Sequence, residues 1–290
     1  MTQAVGVSTL VAAGLAGYSL YEPRLYRFTY KDVDVGEGAP PLDVLHISDT
    51  HMRARDGRLA RWLRALPDEL GTVPDVVVAT GDLIEEDASI DPLVRSLDAV
   101  DARLGRFYVF GSHDYYVARF KPYTRYFDRS RRLGTVDRAD TQHLRERLHA
   151  RGWTDLNNKT AVVDSGHGRI RLAGVDDPYL DRHDTSHIRR AGDDVLAIGL
   201  VHSPDVVSEW LLAGFDLVVA GHTHAGQVRV PGIGALVTNC SLPNALAGGL
   251  HRIGNGWLHT SPGLGTGKFS PIRFGCLPEA TLLRLRPRRV

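Results

Sequence analysis

The sequence predicts an α/β fold of alternating strands and helices, and three observations predict it. Short apolar runs bounded by turn residues recur at 42–48, 75–80, 106–110, 195–201 and 216–220, with the length and composition of buried strands. Amphipathic stretches separate them, the pattern of βαβ units whose helices cover a sheet. A chain of 290 residues, 43% hydrophobic, can bury one large core, so a single domain over residues 31–290 is expected behind an apolar N-terminal segment of residues 1–30.

Taken in order, Val5–Tyr21 carries no charge and is followed by Glu22, Arg24, Arg27 and Lys31. This run lies at the lower edge of the roughly 17–25 residues that span a membrane. Ser8, Gly14 and Gly17 weaken its hydropathy, so an anchor and a helix lying on the domain both fit. No basic residue precedes it, unlike a secretory signal. If it inserts, the basic residues after it place the domain on the cytoplasmic side of a membrane; a soluble cytoplasmic protein is the alternative.

Leu59, Trp62, Leu63 and Leu66, and later Leu93, Val94, Leu97 and Val100, fall at helical spacing. Residues 161–174 predict a hairpin turning at Gly166–Gly168, and 280–286 a late strand. The 35 basic and 34 acidic residues leave no global field to attract nucleic acid. Two cysteines, Cys240 and Cys276, make neither a disulfide framework nor a paired zinc motif, and whether they bond to each other stays open.

Each strand run ends in chemistry: SDTH, GD, GSHD, HSPD and GHTH. Side chains at the carboxyl ends of strands in an α/β sheet converge on one crevice. Asp49 and His51 are two apart, as are His222 and His224, so extended backbone turns each pair to one side and lets it grip one ion. Imidazole mixed with carboxylate suits Mn, Fe or Zn better than Mg or Ca. His46, His143, His149, His167, His183, His187, His251 and His259 are expected to be structural.

These blocks, Asp49-Thr50-His51, Gly81-Asp82, Gly111-Ser112-His113-Asp114, His202 and Gly221-His222-Thr223-His224, resemble the calcineurin-like metallophosphoesterases. The GHTHAGQ tail and the closing SPGLGTGKFSPIRFGCLPEATLLRL resemble its bacterial branch with a short apolar N-terminus, which includes enzymes cleaving the pyrophosphate of a UDP-linked acylated sugar. The resemblance implies a four-layer α/β/β/α sandwich of two packed mixed sheets. It implies two divalent metal ions, one held by Asp49, His51 and His224 and the other by His202 and His222, with Asp82 bridging. His113 would donate a proton to the leaving oxygen and Glu85 would orient it. Asp114 is grouped with them, although it also suits the loop backbone.

Ser112 departs from the family, which has Asn there as a ligand to the second metal. A serine is shorter and its neutral hydroxyl is a poor ligand, so water is one way to complete that shell. Glu86 stands where some relatives carry a phosphate-binding Arg. Replacement cations are expected from the aromatic and basic segment 115–138, with Arg119 and Arg125 as phosphate contacts, and from Arg53 just past the first motif. The bland alternative for that segment is a structural loop and short helix. Gly263, Gly265 and Gly267 read as turn glycines, since no P-loop follows.

The expected activity is metal-dependent hydrolysis of a phosphodiester or pyrophosphate in a phosphorylated small molecule or lipid headgroup, with a membrane surface as a candidate partner. A metal-bound binding or regulatory protein, and a hydrolase of a non-phosphate bond, are the alternatives.

Overall fold

Val76, Val77 and Val78 show how the layers arise. In the computed structural model, which describes residues 13–117, 137–235 and 237–287, Val76 and Val78 face one buried cluster and Val77 another. Side chains alternate across a strand, so a continuous apolar run marks a strand buried on both faces.

The strands are β1 (Arg27–Val35), β2 (Leu42–Ile47), β3 (Val76–Thr80), β4 (Gly105–Val109), β5 (Trp153–Asp155), β6 (Lys159–Asp164), β7 (Arg169–Gly174), β8 (Asp194–Val201), β9 (Leu217–Ala220), β10 (Arg229–Val230), β11 (Gly234–Ala235), β12 (Gly249–Ile253), β13 (Gly256–Thr260) and β14 (Glu279–Pro287). One sheet has the order β1-β14-β2-β3-β4-β5 and the other β12-β13-β9-β8-β7-β6, with β10 and β11 forming a separate hairpin. Both large sheets are mixed. Within them β2, β3 and β4 run parallel, as do β7, β8 and β9.

Between the sheets, Val44, Val76, Val78 and Phe107 meet Leu172, Leu196, Ile198 and Leu217. Each such fully buried aliphatic side chain contributes about 1.5–3 kcal/mol. Helices α1 (Gly57–Leu70), α2 (Ile90–Leu97) and α3 (Thr141–His149) cover the outer face of the first sheet through Leu63, Leu66, Leu93, Leu97 and Leu148. On the second sheet, α4 (Val207–Leu212) seats Trp210 among Ala197, Val201 and Val218. Trp210 lies so close to Gly199 that a Cβ there would sit 2.7 Å from the indole. The result is the expected four-layer sandwich.

The hairpin appears as antiparallel β6 and β7, and residues 280–286 lie within β14. Strands β1, β5, β12 and β13 were not foreseen. β1 reads RFTYKDVDV, too charged to announce itself, and it pairs in parallel along the whole of β14. Residues 27–30, assigned by sequence to the N-terminal segment, are its first turn of pairing. Both cysteines are free thiols.

Residues 13–21 are helical, and no helix among the described residues is long and apolar enough to cross a membrane. The segment is tied to the C-terminal loops: Arg273 N donates to Ser19 O at 2.9 Å, and the buried Glu22 carboxylate accepts Gly275 N and Cys276 N.

Candidate metal centre

The parallel strands β2, β3 and β4 of one sheet and β8 and β9 of the other end on a common rim. Three groups of side chains meet there with ligand atoms all within 4.8 Å of one another: Asp49, His51 and His224; Asp49, Asp82 and His202; and His51, Glu85 and His113. Asp82 Oδ2 lies 3.6 Å from His51 Nε2 and 3.4 Å from His202 Nε2, so this carboxylate stands between the two sides. His222 falls outside the three groups, although its ring lies 5.1 Å edge-on to that of His202 and its N–H donates to both Asp49 oxygens at 3.0 and 3.2 Å. Asp49, His51, Asp82, His222 and His224 all have φ between 38° and 69°. Left-handed backbone costs a non-glycine residue about 1–2 kcal/mol, and such strain gathers where function aims a side chain.

Hydrogen bonds decide which ring nitrogens are free to bind a cation. His51 Nδ1 lies 2.7 Å from Glu85 Oε2, so it carries the proton and leaves Nε2 bare. His202 Nδ1–H donates to Thr80 O at 2.8 Å, and its buried Nε2 has no hydrogen-bond partner among the described residues. His222 Nε2–H donates to Asn239 O at 3.2 Å, leaving Nδ1. Carboxylates or carbonyls behind metal-binding imidazoles are the usual arrangement. An orphaned buried nitrogen beside a carboxylate is what a divalent transition cation satisfies, so the residues fit one.

Glu85 serves twice. The oxygen that meets His51 also lies 3.0 Å from His113 Nδ1, while Oε1 accepts Lys268 N at 2.7 Å. Burial opposes the charge on Glu85, but His113 and His51 outweigh it and hold the carboxyl well below its usual range. Burial likewise pulls His113 down, yet Asp82 and Glu85 prevail and its pKa rises to about 9. His222 is brought down to about 4 by burial and by neighbouring His202. These shifts leave His113 protonated and His222 neutral at neutral pH.

Of the other expected site residues, Ser112, Asp114 and Arg53 lie among the described residues. Asp114 is buried, and its carboxylate accepts the N–H groups of Leu83, Ile84 and Gly111 at 2.8, 3.2 and 2.9 Å, the loop-backbone use that the sequence also suited. Arg53 Nη2 is engaged with Thr266 O at 2.7 Å. Ser112 begins the short turn Ser112–Asp114 on the rim. Arg119 and Arg125 lie outside the described residues.

Sequence reasoning missed Arg273. Fully buried, it donates through Nη2 to Pro262 O, Gly263 O and Gly265 O at 2.8, 3.1 and 2.7 Å, and that nitrogen lies 3.3 Å from His224 Nδ1. It thereby pins the 261–265 loop against the first motif, where Leu264 N bonds Ser48 O. Gly263 is more than a turn glycine: with φ 71°, its missing Cβ would come 2.7 Å from Asp49 Cβ. The one signal available was that SPG follows a strand end, GWLHT, like the other motifs.

His46 and His259 are structural in an unexpected way. Their Nδ1 atoms are 2.9 Å apart between the sheets, and His46 Nε2 reaches Thr80 Oγ1 at 2.8 Å. Thr80 Oγ1 donates to Ser48 Oγ at 2.6 Å, and Ser48 donates to Asp49. A buried polar chain thus ends on the carboxylate that opens the first motif.

Comparisons with known proteins agree with this centre. Residues 42–226 match the calcineurin-like phosphoesterase family. The chain is 26% identical over 299 residues to the metallophosphoesterase YkuE of Bacillus subtilis, covering 99% of this chain and 95% of that protein. It is 27% identical over 252 residues to the phosphodiesterase YaeI of Escherichia coli, covering 86% and 84%. A transmembrane protein with metallophosphoesterase domain from Danio rerio is 27% identical over 301 residues, covering 97% of this chain and 62% of that protein. The family match takes in more than half of the chain and every strand end that carries Asp49, Asp82, His113, His202, His222 and His224, and the chain belongs to the calcineurin-like phosphoesterase family.

Proposed function

We propose that this chain hydrolyses a phosphodiester or pyrophosphate bond of a phosphorylated small molecule or lipid headgroup at a centre of two divalent cations. As a metallophosphoesterase it is a hydrolase of phosphoester bonds; the bond, the ions and the setting are what we add. Asp49, His51 and His224 would hold one cation and His202 and His222 the other, with Asp82 shared, and the imidazole-rich donor set favours Mn, Fe or Zn. Two such cations, when bound, supply Lewis acidity that acidifies a water and neutralises phosphoryl oxygens.

The observation that carries the reading is the double use of Glu85. One oxygen hydrogen-bonds His51, a cation ligand, and stands at ion-pair distance, 3.0 Å, from His113, the proton donor, so the donor is registered to the centre by charge. With Nδ1 turned to Glu85, His113 protonates the leaving oxygen through Nε2 as water attacks phosphorus and the P–O bond breaks. The relative described as a phosphodiesterase supports a diester. A membrane setting is supported by the exposed Leu15, Tyr18, Leu20 and Tyr21 on the helical residues 13–21 and by the relative described as transmembrane.

The test is turnover of a panel of soluble monoesters, diesters and pyrophosphates, and of phospholipid analogues in vesicles, by Mn-reconstituted full-length protein. Diesters or pyrophosphates should exceed monoesters. Turnover of monoesters alone would refute the bond assignment, and failure to co-sediment with vesicles would refute the membrane setting.

A further inference from the structure

One more strand end opens on the same rim. β7 runs parallel to β8, and Val175 N bonds Leu200 O at 3.2 Å, so the residues following β7, Asp176 and Asp177, emerge beside His202. The two aspartates differ. Asp176 is fully engaged: Oδ1 accepts the Tyr115 hydroxyl at 2.8 Å and Asp177 N at 2.7 Å, and Oδ2 accepts Arg182 Nε at 3.0 Å. Asp177 is 0% exposed. Its Oδ1 accepts Tyr179 N at 3.0 Å, whereas its buried Oδ2 has no hydrogen-bond partner among the described residues.

A buried polar atom left without a partner costs about 1–3 kcal/mol, and more when charged, so its partner is to be sought in what the site binds. The side it faces follows from its neighbours. Gly174, the last residue of β7, is paired with Leu200 of β8, two residues before His202. Two residues on, the ring of Tyr179 lies 5.2 Å from that of His222. Asp177 therefore leaves the sheet on the His202 and His222 side of the rim, where Ser112 replaces a longer amide, and like His222 it lies outside the three groups of ligand atoms within 4.8 Å.

We propose that Asp177 is the carboxylate of the second cation position, supplying there the oxygen that Ser112 is too short to provide. The inference rests on the two-cation reading above. A capping role alone does not explain the geometry, because the cap uses Oδ1 only.

The test is Mn²⁺ titration by calorimetry, with elemental analysis, on full-length wild type, Asp177→Asn, Ser112→Asn and the double variant. Asparagine keeps an oxygen for Tyr179 N, so the turn is preserved. Asp177→Asn should weaken the second equivalent about tenfold or more and leave the first unchanged; Ser112→Asn should recover it in the double variant. Retention of both equivalents in Asp177→Asn within twofold would overturn the proposal, as would loss of both, which would mark a structural residue. Fewer than one equivalent in wild type would instead overturn the two-cation reading, and this inference with it.

Discussion

At the first proposed cation position the side chains are braced from several directions, whereas at the second they are braced less. Asp49 accepts Ser48 Oγ and His222 N, His51 leans on Glu85, and His224 sits beside Arg273, which also pins the 261–265 loop. On the other side His202 is anchored by Thr80 O, but the partly exposed His222 rests on one carbonyl at 3.2 Å. Ser112 is short, and Asp177 Oδ2 is unpartnered among the described residues. A site whose rings are locked before the ion arrives loses little freedom on binding it; one that the ion must complete binds more weakly. The two positions should therefore fill in sequence, the first more tightly.

The largest effect tests what the positions share. Asp82→Asn removes the charge between His51 and His202 and should abolish hydrolysis while weakening both cations in a Mn²⁺ titration. Weakening of only one would assign Asp82 to that side alone.

Next comes the donor that neither position needs as a ligand. His113→Ala should lower turnover by about 10²–10⁴ with both cations retained by elemental analysis. Loss of a cation would make His113 a ligand.

A smaller effect should confine itself to the first position. Arg273→Lys keeps the charge but loses the planar fork that reaches four carbonyls, three through Nη2 and Cys276 O through Nη1. The tighter Mn²⁺ equivalent should weaken about tenfold, with the weaker one unmoved. Equal weakening of both would show that the loop supports the rim as a whole.

The smallest effect reads the chain beneath Asp49. Burial lowers the pKa of His46 to about 3, and burial with neighbouring His46 brings His259 well below its usual value. Above pH of about 6.5 both are neutral whether folded or unfolded, and they add no pH dependence. As pH falls below that, the unfolded chain takes up protons that the folded chain refuses, so stability drops, by at most about 1.4 kcal/mol per pH unit for each histidine, until the folded pKa is reached. Thermal midpoints from pH 7 to pH 5 should fall in wild type and fall less steeply in His259→Gln, in which His46 still titrates. An unchanged slope would remove the pair from the account.

The difference between the positions was only partly legible in the sequence. Ser112 announced a weaker second side, because one residue type at one place in a motif is a local fact. Arg273 and Asp177 announced nothing: SPIRF and GVDDP are ordinary loop compositions, and their significance lies in what they face across the rim.

By itself the sequence determined the alternating fold and the run of strand ends bearing Asp49, His51, Asp82, His113, His202, His222 and His224, since apolar runs and two-residue spacings are properties of neighbours along the chain. Only the tertiary structure decided that one oxygen of Glu85 meets two histidines, that Arg273 braces a loop ten residues before it, and that Asp177 rather than Asp176 keeps an oxygen unpartnered. Those facts depend on how two sheets bring residues far apart in the chain into hydrogen-bonding distance. A buried polar atom's partners are set by that convergence, and no local pattern encodes it.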